Sequence, residues 1–220
     1  MERGKIMIKA AIFDLDGVLV TTDSLHYEAW KRLGEEIGIT NFTKADNVRQ
    51  RGISRMASLE ILLEKTAVKY TNAEKEELAE RKNNYYKQSL EGLNEKDVLS
   101  GAREVLEFLR KHGIKTAVGS ASKNAPMILE KTGLLPFLDA VVCGLDVTKS
   151  KPDPEVFLKA AQKLGEVPEN CIVFEDADAG VEAAKRGKMF AFAVGAAREN
   201  KIADLSAESL NSVAKLIGVL

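Results

Sequence analysis

Asp14 and Asp16 stand one leucine apart at the end of the apolar run IKAAIFDL, and Gly17 follows them. A strand can end on one acid by accident, but two acids and a glycine at its carboxyl edge point to a site. Acids so placed can hold a metal ion, attack an electrophile or move protons. Other short apolar runs also end in reactive residue types: Ser120 closes IKTAVGS, and Glu175 with Asp176 closes CIVFED. Lys151 lies in TKSKPDP, where Pro152 and Pro154 fix the loop before the next helical pattern. In open α/β sheets ligands bind beyond the carboxyl ends of the strands, which is where these residues fall.

Several carboxylates in one crevice repel one another and take up protons unless a cation sits among them, and an all-oxygen donor set suits Mg²⁺. Lys151 and a serine hydroxyl would complete a pocket for a dianionic phosphate. The chemistry indicated is phosphoryl transfer: Asp14 can attack phosphorus to give an aspartyl-phosphate, while Asp16 moves protons to and from the hydroxyl partner. Each residue also has a plainer reading. Asp16-Gly17 is a common turn, Ser120 or Ser122 can cap a helix, Asp176 or Asp178 can be the N-cap before AGVEAAKRG, and Lys151 can be a surface lysine. Singly these readings stand; jointly, with every residue at a strand end, accident is a poor explanation.

The elements that must position these residues are legible as a pattern. The runs at 8–15, 114–120, 138–144, 171–176 and 188–195 read as buried parallel strands. Between the later ones lie helical patterns, AREVLEFLRKHG with its stop at Gly113, APMILEKTG, PEVFLKAAQKLG and AGVEAAKRG. The alternation predicts an α/β fold, a Rossmann-like doubly wound parallel sheet with right-handed crossovers. From Asp16 to Ser120 is about a hundred residues, whereas a crossover needs only a few tens. Residues 24–91 are almost entirely helix-patterned, so a small helical cap domain over 21–94 is expected, inserted into a core of 1–20 and 95–220 with linkers near Thr21 and Asn94.

The 220 residues are 45% hydrophobic and 30% charged, ordinary for a globular protein, and 32 basic against 33 acidic residues leave a net charge of −1. That balance gives no footprint for nucleic acid or an anionic membrane, so a charged ligand must be held locally. The two cysteines, Cys143 and Cys171, lie in apolar runs and read as buried thiols. No apolar run approaches the length of a membrane span, and the MERGKIM start lacks the apolar stretch of a secretory signal; a cytoplasmic protein is expected.

D-x-D-G-V at a strand end, a strand closing in serine, Lys-Pro-Asp-Pro, and Glu-Asp before Ala-Gly together resemble the haloacid dehalogenase superfamily with an inserted helical cap. GISRMASLEILLEK, ELAERKNNYY and SASKNAPMILEK are similar to its sugar phosphomutases, and the likeness spans most of residues 7–200. The resemblance implies Asp14 as phosphorylated nucleophile and Asp16 as general acid/base, with Mg²⁺ held by Asp14, the main-chain carbonyl of Asp16, Glu175 and Asp176. It implies Ser120, Ala121 and Lys151 around the transferring phosphate. Arg55 would take the distal phosphate, and His26, Trp30, Gly52, Ile53, Ser58, Lys82, Ser122, Lys123 and Asn124 would frame the sugar. Here too plainer readings exist: Trp30 fits an amphipathic spacing from Leu25 to Leu33, His26 can pin the linker, and Arg55 can be a helix-face arginine.

The implied activity is interconversion of β-glucose 1-phosphate and glucose 6-phosphate through an aspartyl-phosphate and a sugar bisphosphate. A monomer is expected, with small-molecule sugar phosphates as partners and neither nucleic acid nor membrane. The rivals are a sugar-phosphate phosphatase, which need not hold a second phosphate, and a non-catalytic binding protein. Two positions depart from the family pattern. Thr21, followed by Thr22 and Asp23, stands where an acid is usual, and Arg51 stands where lysine is usual before Gly-Ile-Ser-Arg.

Overall fold

The computed structural model describes residues 8–216, so the MERGKIM start lies outside the described residues. Six parallel strands form one sheet in the order β3-β2-β1-β4-β5-β6: β1 Ala10–Phe13, β2 Lys115–Gly119, β3 Ala140–Val142, β4 Cys171–Glu175, β5 Phe190–Val194 and β6 Leu205–Ala207. The sheet is the α/β doubly wound architecture read from the alternating runs. In this order the chain reverses direction of growth at β1, leaving a crevice beyond the ends of β1 and β4.

Alternation along the strands sorts side chains onto two faces. Ala11, Phe13, Val118 and Phe174 pack with α5 (Ala102–Lys111), α6 (Ala125–Lys131) and α9 (Leu210–Leu216), which follow the four helices of the insertion in the chain. Ala10, Ile12, Ala117, Val173 and Ala191 pack with α7 (Glu155–Leu164) and α8 (Asp178–Arg186) on the other face. Phe13 stacks on Phe174 with ring centroids 4.7 Å apart, and Phe174 on Phe192 at 5.0 Å, so an aromatic row ties β1, β4 and β5 together just below Asp14.

The insertion between β1 and β2 carries α1 (Asp23–Glu36), α2 (Lys44–Arg49), α3 (Arg55–Leu63) and α4 (Asn72–Ser89). These helices have a core of their own, with Trp30, Leu33, Leu59, Leu62 and Leu78 among its buried members. The described strands are mostly shorter than the apolar runs: β1 stops at Phe13 and β2 at Gly119, one residue before Asp14 and Ser120, while β4 begins with its run at Cys171 and ends on Glu175. β6 and α9 were not among the expected elements; β6 has three residues, two of them exposed, and shows no apolar run. Both cysteines are buried and free, as their apolar surroundings imply. Among the described residues, no helix is long and apolar enough to cross a membrane.

Phe13→Ala should reduce unfolding free energy by about 3–5 kcal/mol, the usual loss for a buried phenylalanine. Urea denaturation measures it, and a loss below about 1 kcal/mol would show that the aromatic row does not anchor β1.

Candidate active site

The amide of Asp14 donates to the carbonyl of Phe174 at 2.9 Å, so the β1–β4 ladder itself delivers the first acid to the crevice. Lys151 Nζ lies 2.5 Å from Asp14 Oδ1 and 2.7 Å from Glu175 Oε2, and all three side chains are buried. Glu175 Oε1 in turn accepts from the amides of Asp176 at 3.2 Å and Ala177 at 3.0 Å. Single carboxylate oxygens of Asp14, Glu175 and Asp176 all lie within 4.8 Å of one another. Two glycines permit this crowding: a Cβ on Gly17, where φ is +83°, would run into the Asp176 carboxylate, and one on Gly180 into that of Glu175.

Three carboxylates against one ammonium leave two negative charges uncompensated when all are ionised. Burial, with Lys151 opposing and Asp14 adding to it, pushes Glu175 up to about 7; burial and the Glu175 and Asp14 charges push Asp176 up to about 8. Burial works against the Lys151 ammonium, but the flanking Asp14 and Glu175 outweigh it and hold it above the ordinary lysine range. An all-oxygen, over-negative, buried donor set fits a hard divalent cation, which would supply the missing positive charge. Asp14, Glu175 and Asp176 could hold one.

The Asp16 side chain is not in this cluster. It accepts a hydrogen bond from Thr22 Oγ1, which also lies 2.9 Å from the Tyr86 hydroxyl. Thr22 occupies the N-cap position of α1 but makes no side-chain cap bond, its hydroxyl being spent on Asp16. Burial is the main cause that raises Asp16 to about 7, with Thr22 opposing it. The plainer reading of Asp176 or Asp178 as an N-cap fails: the N-cap of α8 is Ala177, and no side chain caps that helix. Ser120 and Ser122 are turn formers, each hydroxyl accepting from the amide two residues on, at 3.1 and 3.2 Å.

From the insertion, Lys82 Nζ lies 2.8 Å from His26 Nδ1 and 4.7 Å from the ring centroids of both Trp30 and Tyr86. Burial and the neighbouring cations hold His26 well below its ordinary value, and burial with Arg55 does the same to Lys82. Arg55 opens α3 and donates to Glu80 at 3.0 Å. Arg51 pairs with Asp23 at 3.2 Å, so the second departure from the family pattern is tied to the linker that holds the first. Asn124 Nδ2 donates to Asn83 Oδ1 at 3.0 Å, and a Cβ on Gly52 would lie 3.2 Å from that of Ala177. The insertion is thus seated against the sheet ends.

Most of these residues converge on a cavity of about 690 Å³. Every site residue expected from the sequence lines it except Glu175, which is fully buried behind Lys151. Trp30 belongs both to the lining and to the insertion's core, so its two readings hold together. Gln50, Asn83 and Tyr86 also line the cavity and were not singled out. Their partners, Ser58, Asn124 and Thr22, are 8, 41 and 64 residues away, beyond any local sequence signal.

Residues 8–188 match the family model for haloacid dehalogenase-like hydrolase. The chain belongs to that family. Within the haloacid dehalogenase-like hydrolases, beta-phosphoglucomutase of Bacillus subtilis is 42% identical over 200 residues, covering 90% of this chain and 88% of the relative. A phosphorylated carbohydrates phosphatase of Thermotoga maritima is 34% identical, with 81% of each chain covered. The crystal structure of beta-phosphoglucomutase from Clostridium difficile superimposes with a TM-score of 0.89 at 38% identity, covering 94% of this chain and 93% of that one.

The cluster makes a prediction about pH. Asp176 is raised from 3.8 to about 8, so the folded protein keeps a proton there that the unfolded chain has lost, and the group's contribution to stability falls as pH rises across that window. In the presence of a chelator, wild type should lose stability relative to Asp176→Asn between about pH 5 and about pH 8. Parallel urea-unfolding profiles for the two proteins would contradict the strained acid cluster.

Proposed function

We propose that this chain is a Mg²⁺-dependent β-phosphoglucomutase, interconverting β-glucose 1-phosphate and glucose 6-phosphate. In this reading residues 21–94 are a cap domain and residues 1–20 and 95–220 the catalytic core. The observation that carries it is that one cavity is lined by cations from both the sheet ends and the insertion, among them Lys151 beside Asp14 and Arg55 on the insertion. A bisphosphate needs both.

Asp14, phosphorylated, is the donor. Asp16 takes the proton from the 6-hydroxyl of β-glucose 1-phosphate as that oxygen bonds to phosphorus and the Asp14–phosphorus bond breaks. The bisphosphate then turns end for end, Asp14 attacks the 1-phosphoryl group, and Asp16 returns its proton to the departing O1, releasing glucose 6-phosphate. A carboxyl with a pKa of about 7 suits both directions near neutral pH. Ser120, Ala121 and Lys151 grip the transferring group, while Mg²⁺ held by Asp14, Glu175, Asp176 and the carbonyl of Asp16 would neutralise charge on its oxygens. Arg55 holds the other phosphate, which must displace Glu80 from the guanidinium. His26, Trp30, Gly52, Ile53, Ser58, Lys82, Ser122, Lys123 and Asn124 enclose the sugar and exclude water.

A sugar-phosphate phosphatase is the second reading, favoured by the 34% identical phosphatase relative and by the altered linker at Thr21. In it, water in place of the sugar takes the phosphoryl group from Asp14. Both products, measured together, separate the two. Wild type with β-glucose 1-phosphate and a trace of the bisphosphate should yield glucose 6-phosphate in excess of free phosphate. Arg55→Ala should lose about 2–5 kcal/mol of mutase transition-state binding, as for a truncated partner of a buried charge, while free phosphate rises as a share of product. Unchanged mutase flux in Arg55→Ala would remove the distal-phosphate role.

A further inference from the structure

Arg55 and Glu80 both line the cavity, Arg55 with 18% of its side chain exposed and Glu80, on α4, with 57%. Glu80 Oε2 accepts from Arg55 Nη1 at 3.0 Å, and Oε1 accepts from Asn83 Nδ2 at 3.2 Å. Asn83 Oδ1 accepts in turn from Asn124 Nδ2 at 3.0 Å, which fixes the way the Asn83 amide faces. One carboxylate thus gathers two donors on the insertion, and the second of them reaches the core through Asn124. Burial works against the Arg55 guanidinium, and Glu80 supplies the charge that opposes this.

The two ends of this pair differ. Glu80 can swing from Arg55 into water, whereas the guanidinium is held in the cavity wall. An exposed ion pair is weak, and a phosphate dianion brings more charge and more oxygens to the arginine fork than a carboxylate does. Glu76, one turn earlier on the same helix, also lines the cavity but makes no ion pair among the described residues.

We propose that Glu80 is an internal competitor for the second phosphate: its carboxylate occupies the anion seat at Arg55 and Asn83, leaves when a phosphate arrives and returns as the phosphate departs. The inference rests on the reading of this cavity as a site for a sugar bisphosphate. A reaction that turns its bisphosphate end for end must release each phosphate in turn. A carboxylate that refills the seat eases that release, because Arg55 is never left without a counter-charge. Glu80 therefore sets how tightly the bisphosphate is held, although it does not touch the reacting atoms.

The test is the dissociation constant of glucose 1,6-bisphosphate, measured by isothermal titration calorimetry with Mg²⁺ on Asp14→Asn, which lacks the nucleophile. Glu80→Gln keeps an acceptor for Asn83 and removes the charge. Added to Asp14→Asn, it should tighten binding by about two- to fivefold, the worth of an exposed ion pair. Glu76→Gln in the same background should tighten it less, since Glu76 occupies no cation. A role for Glu80 in holding Arg55 in place predicts the opposite sign, so weaker binding overturns the proposal, as does unchanged binding. Equal tightening by Glu76→Gln would report a general field and overturns it too. Urea unfolding checks that each variant is folded. Tightening by Glu80→Gln in a protein whose wild type yields only free phosphate from β-glucose 1-phosphate upholds the competitor and overturns the mutase reading, while a bisphosphate that does not bind Asp14→Asn overturns both.

Discussion

The ammonium of Lys151, buried between Asp14 and Glu175, is the contact on which the rest of the site depends. It joins three separate parts of the chain: the end of β1, the end of β4 and the loop before α7. Removing it would leave buried carboxylates facing one another, and truncating one partner of such a pair is strongly destabilising. Yet one lysine does not balance three acids. Burial, together with the remaining negative charge, keeps Glu175 and Asp176 protonated to unusually high pH, and the uncompensated charge suits a divalent cation. Glycine at positions 17 and 180 is the steric counterpart of that electrostatic arrangement, since any side chain there would push the carboxylates apart.

A second set of contacts joins the insertion to this centre. Thr22 gives up helix capping to bind Asp16, and Tyr86 from α4 approaches the same hydroxyl. The candidate acid/base is therefore held by the linker and by the inserted helices, not by the sheet. Motion of the insertion would alter the surroundings of Asp16 while leaving Asp14 and Lys151 in place. Arg55 lies on the same insertion, and its bond to the half-exposed Glu80 can be exchanged more readily than the buried Lys151 contacts can. That division suits a reaction whose proton transfer and distal binding should be engaged only when the cavity is closed.

The sheet and the core acids were legible in the sequence because the signal is local: an apolar run, then a residue with chemistry. Asp14, Ser120 and Glu175 each follow that rule. β6 was not legible, since three mostly exposed residues acquire strand geometry from pairing with β5 and carry no pattern of their own. Thr22 read as a linker residue, and only the fold reveals its bond to Asp16. Gln50 gave no signal, because its partner lies eight residues on. Arg55 was found through a motif, but its engagement with Glu80 was not, the two being 25 residues apart on different helices.

Whether Asp14 carries the phosphoryl group is the most direct test of this account. Intact-protein mass spectrometry after incubation with Mg²⁺ and acetyl phosphate should show a gain of one phosphoryl group, mapped to Asp14 and absent from Asp14→Asn. A phosphoryl group on another residue, or an unmodified wild type that still interconverts sugar phosphates, would contradict it.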